Sequence, residues 1–166
     1  MSIRSVSCDD AGQIAEIYNH YILTSHCTFE MSPIESGEMR SRIKDVLDRG
    51  FPFFVAEIEN EIVGYAYAKQ FRPRPGYRHS AEVSIYIKDG REGNAIGTML
   101  YEKLFDVVST LDFHAVIAVI ALPNDASVRL HEKFGFEKVA HLREVGFKFG
   151  KWIDVGYWQL SKTTAK

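Results

Sequence analysis

Apolar and polar positions along the chain follow two spacings, one typical of strands and the other of helices. Two-residue alternation or short β-branched runs predict seven strands, at residues 2–6, 53–58, 62–68, 81–87, 115–122, 138–145 and 153–160. Apolar residues three and four positions apart predict three helices, at residues 7–22, 39–47 and 96–111, and a fourth short helix is predicted to begin at Asn124 and run to Lys133, before Gly135. The order of these elements predicts one mixed α/β domain over residues 1–166. The almost continuous apolar run 115–122 further predicts a strand buried on both faces.

Composition and charge limit the expected partners. The chain has 166 residues, 46% of them hydrophobic and 25% charged, as in an ordinary globular domain. A formal net charge of -2 leaves no basic excess for a phosphate backbone, so nucleic acid is not expected as a partner. No apolar run reaches the roughly 18 residues that span a bilayer, and the N-terminus lacks the apolar segment of a secretory signal. We therefore expect a cytoplasmic protein without a membrane partner.

The cysteines and histidines predict neither a disulfide nor a metal site. Cys8 and Cys27 are the two cysteines of the chain, and their spacing matches no zinc pattern. The histidines show no paired ligand spacing. We expect two reduced, mostly buried thiols and no bound metal.

A glycine-rich turn lies between the strand predicted at residues 81–87 and the next helix. Gly90, Gly93 and Gly97 fall in this turn, and the helix begins near Ile96. Unpaired amides and the positive end of the helix dipole form a natural phosphate site at such a place. The turn contains neither a dinucleotide fingerprint nor the lysine of a P-loop. On its own it is equally consistent with glycines that only allow the chain to turn.

A later segment carries a more specific signal. Residues 122–136 begin Leu-Pro-Asn-Asp, end Gly-Phe, and resemble the second half of the Gcn5-related N-acetyltransferase (GNAT) superfamily signature. The segments that resemble one subfamily, the phosphinothricin and methionine sulfone acetyltransferases, are residues 17–21, 28–30, 72–77, 81–86, 122–136 and 145–159. The resemblance implies an α/β acetyltransferase fold with a central, mostly antiparallel twisted sheet of about seven strands and about four flanking helices. It also implies acetyl-CoA as cosubstrate, a small amino-acid-like acceptor, a role in detoxification and a homodimer.

The resemblance also assigns a set of cofactor contacts. They are Ser84, Ile85, Tyr86 and Ile87 in the strand, Gly93, Asn94, Ala95, Ile96, Gly97 and Thr98 in the turn, and Asn124 and Ser127 in the last helix. Glu92 stands where the superfamily usually has Gln or Arg, and its carboxylate would repel a diphosphate unless Arg91 supplies the missing charge. Ala95 stands where glycine is usual, and this exchange is tolerable, with the amide still available, if the φ of Ala95 is negative.

Glu82 is the first candidate for proton transfer. Strand alternation places it with Ser84 and Tyr86 on one face, where a charge is costly unless it is paired. One reading is an edge position or an ion pair with Arg74 or Arg78. The other is the general base that takes the proton of a substrate ammonium, and the resemblance implies this second role.

His131 is the second candidate. It lies seven residues after Asn124, where many members of the superfamily have a tyrosine that donates a proton to the departing thiolate. The resemblance implies that His131 donates or relays this proton, and an imidazole can do so near neutral pH. The alternative is a histidine on the helix surface beside Glu132.

A basic loop is the candidate site for the acceptor. Arg72, Arg74 and Arg78 fall within a short segment stiffened by two prolines, and arginine binds carboxylate or phosphinate bidentately. The resemblance assigns Arg72, Arg74 and Tyr77 to substrate anchoring, with Phe29 packing on the ligand. The alternative is a solvated basic loop. Further residues expected to line the pocket are Tyr86, Lys148 and Trp152, of which Trp152 is equally consistent with core or dimer packing.

The predicted reaction is direct acetyl transfer from acetyl-CoA to a free α-amine. An acetyl-cysteine intermediate is less favoured, because neither Cys8 nor Cys27 is expected near the site. Two alternatives stay open: acetylation of another amine, such as a peptide N-terminus, a lysine or an antibiotic, and a CoA-binding module without catalysis.

Overall fold

Seven strands of the chain form one sheet in the computed structural model, which describes residues 1–162. The strands are β1 (Ser2–Ser5), β2 (Phe53–Ile58), β3 (Glu61–Gln70), β4 (Ser80–Ile87), β5 (Ala115–Leu122), β6 (Glu137–Lys148) and β7 (Lys151–Ser161). Their order in the sheet is β1-β2-β3-β4-β5-β7-β6. All neighbouring pairs are antiparallel except β4 and β5, which are parallel. The predicted mixed α/β fold with a mostly antiparallel sheet of seven strands is confirmed.

Four helices cover the two faces of this sheet. They are α1 (Ala11–Thr24), α2 (Ser36–Asp48), α3 (Ile96–Val108) and α4 (Asp125–Lys133). On one face, Leu100 of α3 packs in the same core as Val83 of β4. On the other face, Ile14 of α1 and Ile43 of α2 share a core with Val55 of β2. α1, α2 and α3 each bury residues of the predicted apolar stripe, whereas the buried residue of α4 is His131.

The last two strands are longer than their sequence pattern predicts. β6 continues to Lys148 and β7 already begins at Lys151, so residues 149 and 150 form the whole hairpin turn. Both turn residues have positive φ, 51° for Phe149 and 72° for Gly150, as a two-residue hairpin turn requires. A phenylalanine rarely adopts this conformation, which explains why the sequence gives no clear turn signal there.

The strands β4 and β5 separate after a short paired stretch. They pair only over Ser80 to Glu82 in β4 and Ala115 to Ile117 in β5. From Val83 onward, β4 therefore has no strand partner on this side, and a gap opens between two neighbouring strands in the middle of the sheet. Val119 of β5 lies at this gap and is 40% exposed, so the prediction that its strand is buried on both faces is wrong at this residue.

Candidate functional site

The gap between β4 and β5 is a cleft with a volume of about 490 Å³. This size is within the range of small-molecule sites. The beginnings of α3 and α4, which follow β4 and β5 in the chain, close the cleft at one end. The predicted cofactor residues that line it are Ser84, Ile85, Tyr86, Ile87, Gly93, Ala95, Ile96, Gly97, Thr98, Asn124 and Ser127. Sequence reasoning therefore located the walls of this cleft well.

Backbone groups dominate the wall formed by β4 and the turn before α3. The unpaired edge of β4 faces the cleft. The N-terminus of α3, where a helix attracts anions, also lies at the cleft. Tyr21 of α1 fixes the end of β4, because its hydroxyl donates a 2.6 Å hydrogen bond to the carbonyl of Ile87. Asn94 does not line the cleft, contrary to its predicted role. Its side-chain amide instead donates to the carbonyls of Arg91 and Glu92, which closes the turn.

The backbone of Ala95 does not meet the condition of a negative φ. This residue precedes α3 with φ 58° and ψ 6°, which is the left-handed conformation rather than one with negative φ. The methyl group makes this conformation unfavourable, by about 1 kcal/mol or more relative to glycine. The turn nevertheless needs it at this position, because Gly93 two residues earlier also has positive φ and the chain must enter the helix immediately afterwards.

The mouth of the cleft carries both signs of charge. Arg91 and Glu92 both line it and are both exposed. Arg91 donates a 2.9 Å hydrogen bond to Glu61, and Lys88 donates a 2.6 Å hydrogen bond to the same carboxylate. The hydrogen bonds from Lys88 and Arg91 lower the pKa of Glu61. Arg91 is thus already paired within the protein, and it compensates for Glu92 less than a free arginine would.

Glu82 lies at the last paired position of β4 and β5, directly before the cleft opens. Its side chain is 21% exposed and forms a 3.1 Å ion pair with Lys69, its partner across the β3–β4 pair. The predicted alternatives, an edge position or an ion pair with Arg74 or Arg78, are therefore wrong. Burial lowers the pKa of Lys69, but the charges of Tyr67 and Glu82 outweigh this effect and the pKa is raised.

His131 lines the cleft but is almost fully buried, with 3% exposure. One ring nitrogen, Nε2, is 2.7 Å from the hydroxyl of Tyr101, and Nδ1 is 2.8 Å from the carbonyl of Ser127. Burial lowers the pKa of His131, although the bond to Ser127 acts in the opposite direction. At neutral pH the ring is therefore uncharged, with Nδ1 donating to Ser127 and Nε2 accepting from Tyr101. The alternative of a surface histidine is wrong.

Cys27 is a cleft residue that sequence reasoning missed. It lines the cleft, and its sulfur accepts a 3.4 Å hydrogen bond from the side-chain amide of Asn124. The expectation that neither cysteine lies near the site is therefore wrong for Cys27. The side-chain oxygen of Asn124 accepts a 3.1 Å hydrogen bond from the amide of Ser127, so Asn124 is the N-cap of α4. No sequence pattern around Cys27 predicts its place in the cleft, because the loop after α1 comes close to α4 only in the folded chain.

The predicted substrate residues line neither this cleft nor the other large cavity of the molecule. Arg72, Arg74 and Tyr77 are exposed on the connection between β3 and β4. Arg72 lies over the ring of Phe71, with 5.0 Å between the guanidinium carbon and the ring centroid. This loop follows Lys69 and precedes Glu82, so it lies at the same end of the strands as that ion pair.

The remaining predicted pocket residues lie on the β6–β7 hairpin or against it. The ring of Phe29 covers Gly146 so closely that a side chain at that glycine would collide with it. Lys148 is buried and donates a 2.7 Å hydrogen bond to the carbonyl of Thr28, and burial lowers its pKa. Trp152 is 62% exposed and packs on Phe147, so it belongs to the surface rather than to the cleft.

Two further features concern metals and membranes. Within residues 1–162, no three side chains of His, Cys, Asp or Glu come together as a possible metal site. None of the helices in this part of the chain is long and apolar enough to cross a membrane. Both cysteines are free thiols of intermediate burial.

Comparisons with known proteins agree with the resemblance seen in the sequence. A family model described as an acetyltransferase (GNAT) domain matches residues 3–156. The chain is 37% identical over 159 residues to the phosphinothricin N-acetyltransferase of Streptomyces viridochromogenes, covering 96% of this chain and 86% of that protein. It is 31% identical over 160 residues to the L-methionine sulfoximine/L-methionine sulfone acetyltransferase of Salmonella typhimurium, covering 96% and 94%. A GNAT superfamily phosphinothricin acetyltransferase from Sinorhizobium meliloti, solved with acetyl-CoA, superposes with a TM-score of 0.93 at 35% identity, covering 96% and 87%.

Proposed function

Because the chain belongs to the GNAT acetyltransferase family, we propose that it transfers the acetyl group of acetyl-CoA to the α-amine of a small amino-acid-like acceptor. The observation that carries this proposal is the position of Glu82, a carboxylate at the point where β4 and β5 separate and the cleft begins. The names of the relatives support the class of acceptor, and the acetyl-CoA complex of a similar structure supports the donor.

The cleft residues fit the parts of the donor. The beginning of α3 suits the diphosphate, because Ile96, Gly97 and Thr98 line the cleft where the helix has amides without intrahelical partners. The unpaired edge of β4 from Val83 to Ile87 suits the amide groups of the pantetheine arm. This arrangement would leave the thioester near the last paired position of β4, next to Glu82.

The reaction then needs one proton acceptor and one proton donor. Glu82 takes a proton from the acceptor ammonium, directly or through water, and the amine nitrogen attacks the thioester carbon. The carbon–nitrogen bond forms, the carbon–sulfur bond breaks, and the thiolate takes up the second proton that the amine nitrogen loses on becoming an amide. His131 was the predicted donor, but its Nδ1 hydrogen already binds the Ser127 carbonyl. The geometry favours a supporting role in which His131 holds the first turn of α4.

Cys27 makes the covalent alternative testable. Its position in the cleft would allow an acetyl-cysteine intermediate, whereas direct transfer does not need the thiol. We expect Cys27→Ala to keep kcat within about threefold, since it removes one weak hydrogen bond from Asn124. We also expect no acetylated enzyme in mass spectra after incubation with acetyl-CoA alone. Ping-pong kinetics together with loss of activity in Cys27→Ala would establish the covalent route instead.

An acceptor screen tests the proposed function. Release of free thiol from acetyl-CoA is followed with phosphinothricin, methionine sulfone and a short peptide with a free N-terminus. We expect release with at least one of the two amino-acid-like compounds and little with the peptide. Titration calorimetry that shows CoA binding, combined with no thiol release for any amine, would instead support a binding module without catalysis.

A homodimer, a cytoplasmic location, a single domain and a role in detoxification are also part of this proposal. The end of the β6–β7 hairpin supports the homodimer, because Val145, Phe147, Phe149 and Trp152 are all more than half exposed. Trp158, on the same strand as Trp152, is instead buried in the core. We expect Trp152→Glu to shift the mass in light scattering from dimer to monomer. An unchanged mass would place the interface elsewhere.

A further inference from the structure

A second cavity lies on the opposite face of the sheet from α3, beneath α2. We call it the α2 cavity. It has a volume of about 450 Å³, and its walls include Tyr18, Arg42, Phe53, Tyr65, Tyr67 and Lys69. This volume is within the range of small-molecule sites. None of the residues predicted to bind the cofactor or the substrate lines it.

One end of the α2 cavity lies at the ion-pair partner of Glu82, the proposed general base. Lys69 lines the cavity and is paired with Glu82 at 3.1 Å. Tyr65 lies four residues earlier on the same face of β3, which places it roughly 13 Å from Lys69 along the strand. The ring of Tyr65 is stacked 5.4 Å from the ring of Tyr86, a residue of the cofactor cleft. The cavity is thus a side chamber that ends at Lys69, the ion-pair partner of Glu82.

The hydroxyl of Tyr65 is an unused hydrogen-bond donor at the inner end of this chamber. Tyr65 is 2% exposed, yet its hydroxyl bonds to no group in residues 1–162 and is not sealed off from the cavity. Burial raises the pKa of Tyr65 well above its usual value, so the hydroxyl keeps its proton. Because the hydroxyl is open to the cavity and not bonded within the described residues, it can donate a hydrogen bond to a ligand that carries an acceptor atom at this place.

The other walls favour a flat, uncharged body. Phe53 and Tyr67 stack at 4.9 Å, and the charged side chains of the cavity already have partners within the protein. Arg42 donates a 2.6 Å hydrogen bond to Glu30, and it also donates one of 2.9 Å to Glu38. The other wall charges are paired too: Lys69 with Glu82, and Asp45 with Arg49. An ionic group would therefore find no free counter-charge, whereas an aromatic ring would find aromatic faces.

We propose that the α2 cavity receives the side chain of an aromatic acceptor amine, with the amine at Glu82 and an uncharged acceptor atom at the Tyr65 hydroxyl. This inference rests on the proposed acetyl transfer and adds the class of side chain that the enzyme accepts. A small acceptor such as methionine sulfone can react at Glu82 without reaching Tyr65.

The test compares two acceptors that differ at one position of the ring. L-Phenylalanine and O-methyl-L-tyrosine share the ring, but only the second carries an oxygen that can accept a hydrogen bond. We expect kcat/KM with acetyl-CoA to be about three- to tenfold higher for O-methyl-L-tyrosine, the range given by one net hydrogen bond. Tyr65→Phe removes the hydroxyl without breaking a bond within residues 1–162, and it should abolish this preference. Tyr157→Phe, on β7 away from the cavity, is the matched control and should keep it.

A second variant tests the cavity itself. Ser41 lies at the exposed rim of the α2 cavity, and Ser41→Trp should fill its entrance. We expect kcat/KM for O-methyl-L-tyrosine to fall at least tenfold, while methionine sulfone changes by less than about twofold. Thiol release with methionine sulfone but with neither aromatic acceptor would overturn this inference alone. Release with none of the three would overturn the proposed function as well, and a preference unchanged in Tyr65→Phe would contradict the role of the hydroxyl.

Discussion

The two cavities on either side of Glu82 are built in different ways. The cofactor cleft is lined mainly by β4, β5 and the beginnings of the helices that follow them, and small residues such as Gly93, Ala95 and Gly97 leave backbone groups open along one wall. The α2 cavity is walled by large side chains from four separate elements, α1, α2, β2 and β3. A backbone site depends on conformation and tolerates many side chains, whereas a side-chain site changes its ligand with each substitution. The first can serve a common donor, and the second can select the acceptor.

The largest effect is expected at Glu82, which belongs to neither wall and lies between the two cavities. Glu82→Gln keeps the shape of the side chain and can still bind Lys69, but it cannot take a proton. We expect kcat to fall by about 10²–10⁴, the usual contribution of a general base, with the Kd for CoA unchanged. Stopped-flow or steady-state thiol release and calorimetry measure the two quantities.

The matched control is Glu137→Gln, which makes the same change at an exposed position of β6. Turnover of this variant should equal that of the unmodified enzyme. A Glu82→Gln enzyme with nearly normal turnover at neutral pH would remove Glu82 from the mechanism. Glu82 would then no longer link the cofactor cleft functionally to the α2 cavity.

The second effect concerns His131, a buried side chain of the cleft. Because burial lowers its pKa, the folded protein binds fewer protons at this residue than the unfolded chain does just below the usual value of about 6.5. The free energy of unfolding should therefore fall as the pH falls through 6.5, by at most about 1.4 kcal/mol per pH unit for one group. His131→Gln should lose this part of the slope in urea unfolding between pH 7 and pH 5.

Two outcomes separate the possible roles of His131. The control His114→Gln, at an exposed position, should keep the slope of the unmodified protein. A loss of kcat in His131→Gln by about a hundredfold or more, at a pH where the variant is fully folded, would restore the predicted role of proton donor. A small change in kcat agrees with the supporting role.

A smaller gain of stability is expected at Ala95, whose left-handed backbone is part of the cofactor cleft. Ala95→Gly relieves the strain of a methyl group at φ 58°, and the more flexible unfolded chain offsets part of the benefit. We expect a net gain of about 0.5–1 kcal/mol, which for a protein of this size raises the melting temperature by about 1–4 °C. Calorimetric melting measures this, and Ala126→Gly within α4 should have the opposite sign. A lower melting temperature for Ala95→Gly would mean that the turn gains nothing from glycine.

Whether a part of the site could be predicted from the sequence depends on whether it lies in one continuous segment or is assembled from distant elements. The strand 81–87, the glycine turn and Asn124 carry their information in short spacings, and all three lie at the cleft. Cys27 and Lys69 have no such spacing, because each reaches the site from a distant element through tertiary packing. The pairing of Lys69 with Glu82 depends on the register of β3 and β4, which no single-strand pattern contains. The sequence does not predict the α2 cavity for the same reason, since the aromatic residues that line it have the pattern of ordinary core positions.

The smallest expected effect belongs to Glu92 at the mouth of the cofactor cleft. Its carboxylate lies in the turn that suits the diphosphate, and the neighbouring Arg91 is already paired with Glu61. Glu92→Gln should therefore bind CoA more tightly, but only by about two- to fivefold, because solvent screens charges at this exposed position. Calorimetry measures the Kd for CoA, and the gain in affinity should shrink as salt is added. The KM for the acceptor should not change. Glu102→Gln, on α3 away from the cleft, removes the same charge and should have no effect. An affinity for CoA that is unchanged or weaker in Glu92→Gln would mean that the diphosphate does not lie at this turn. The cleft would then no longer be the binding site of the acetyl donor.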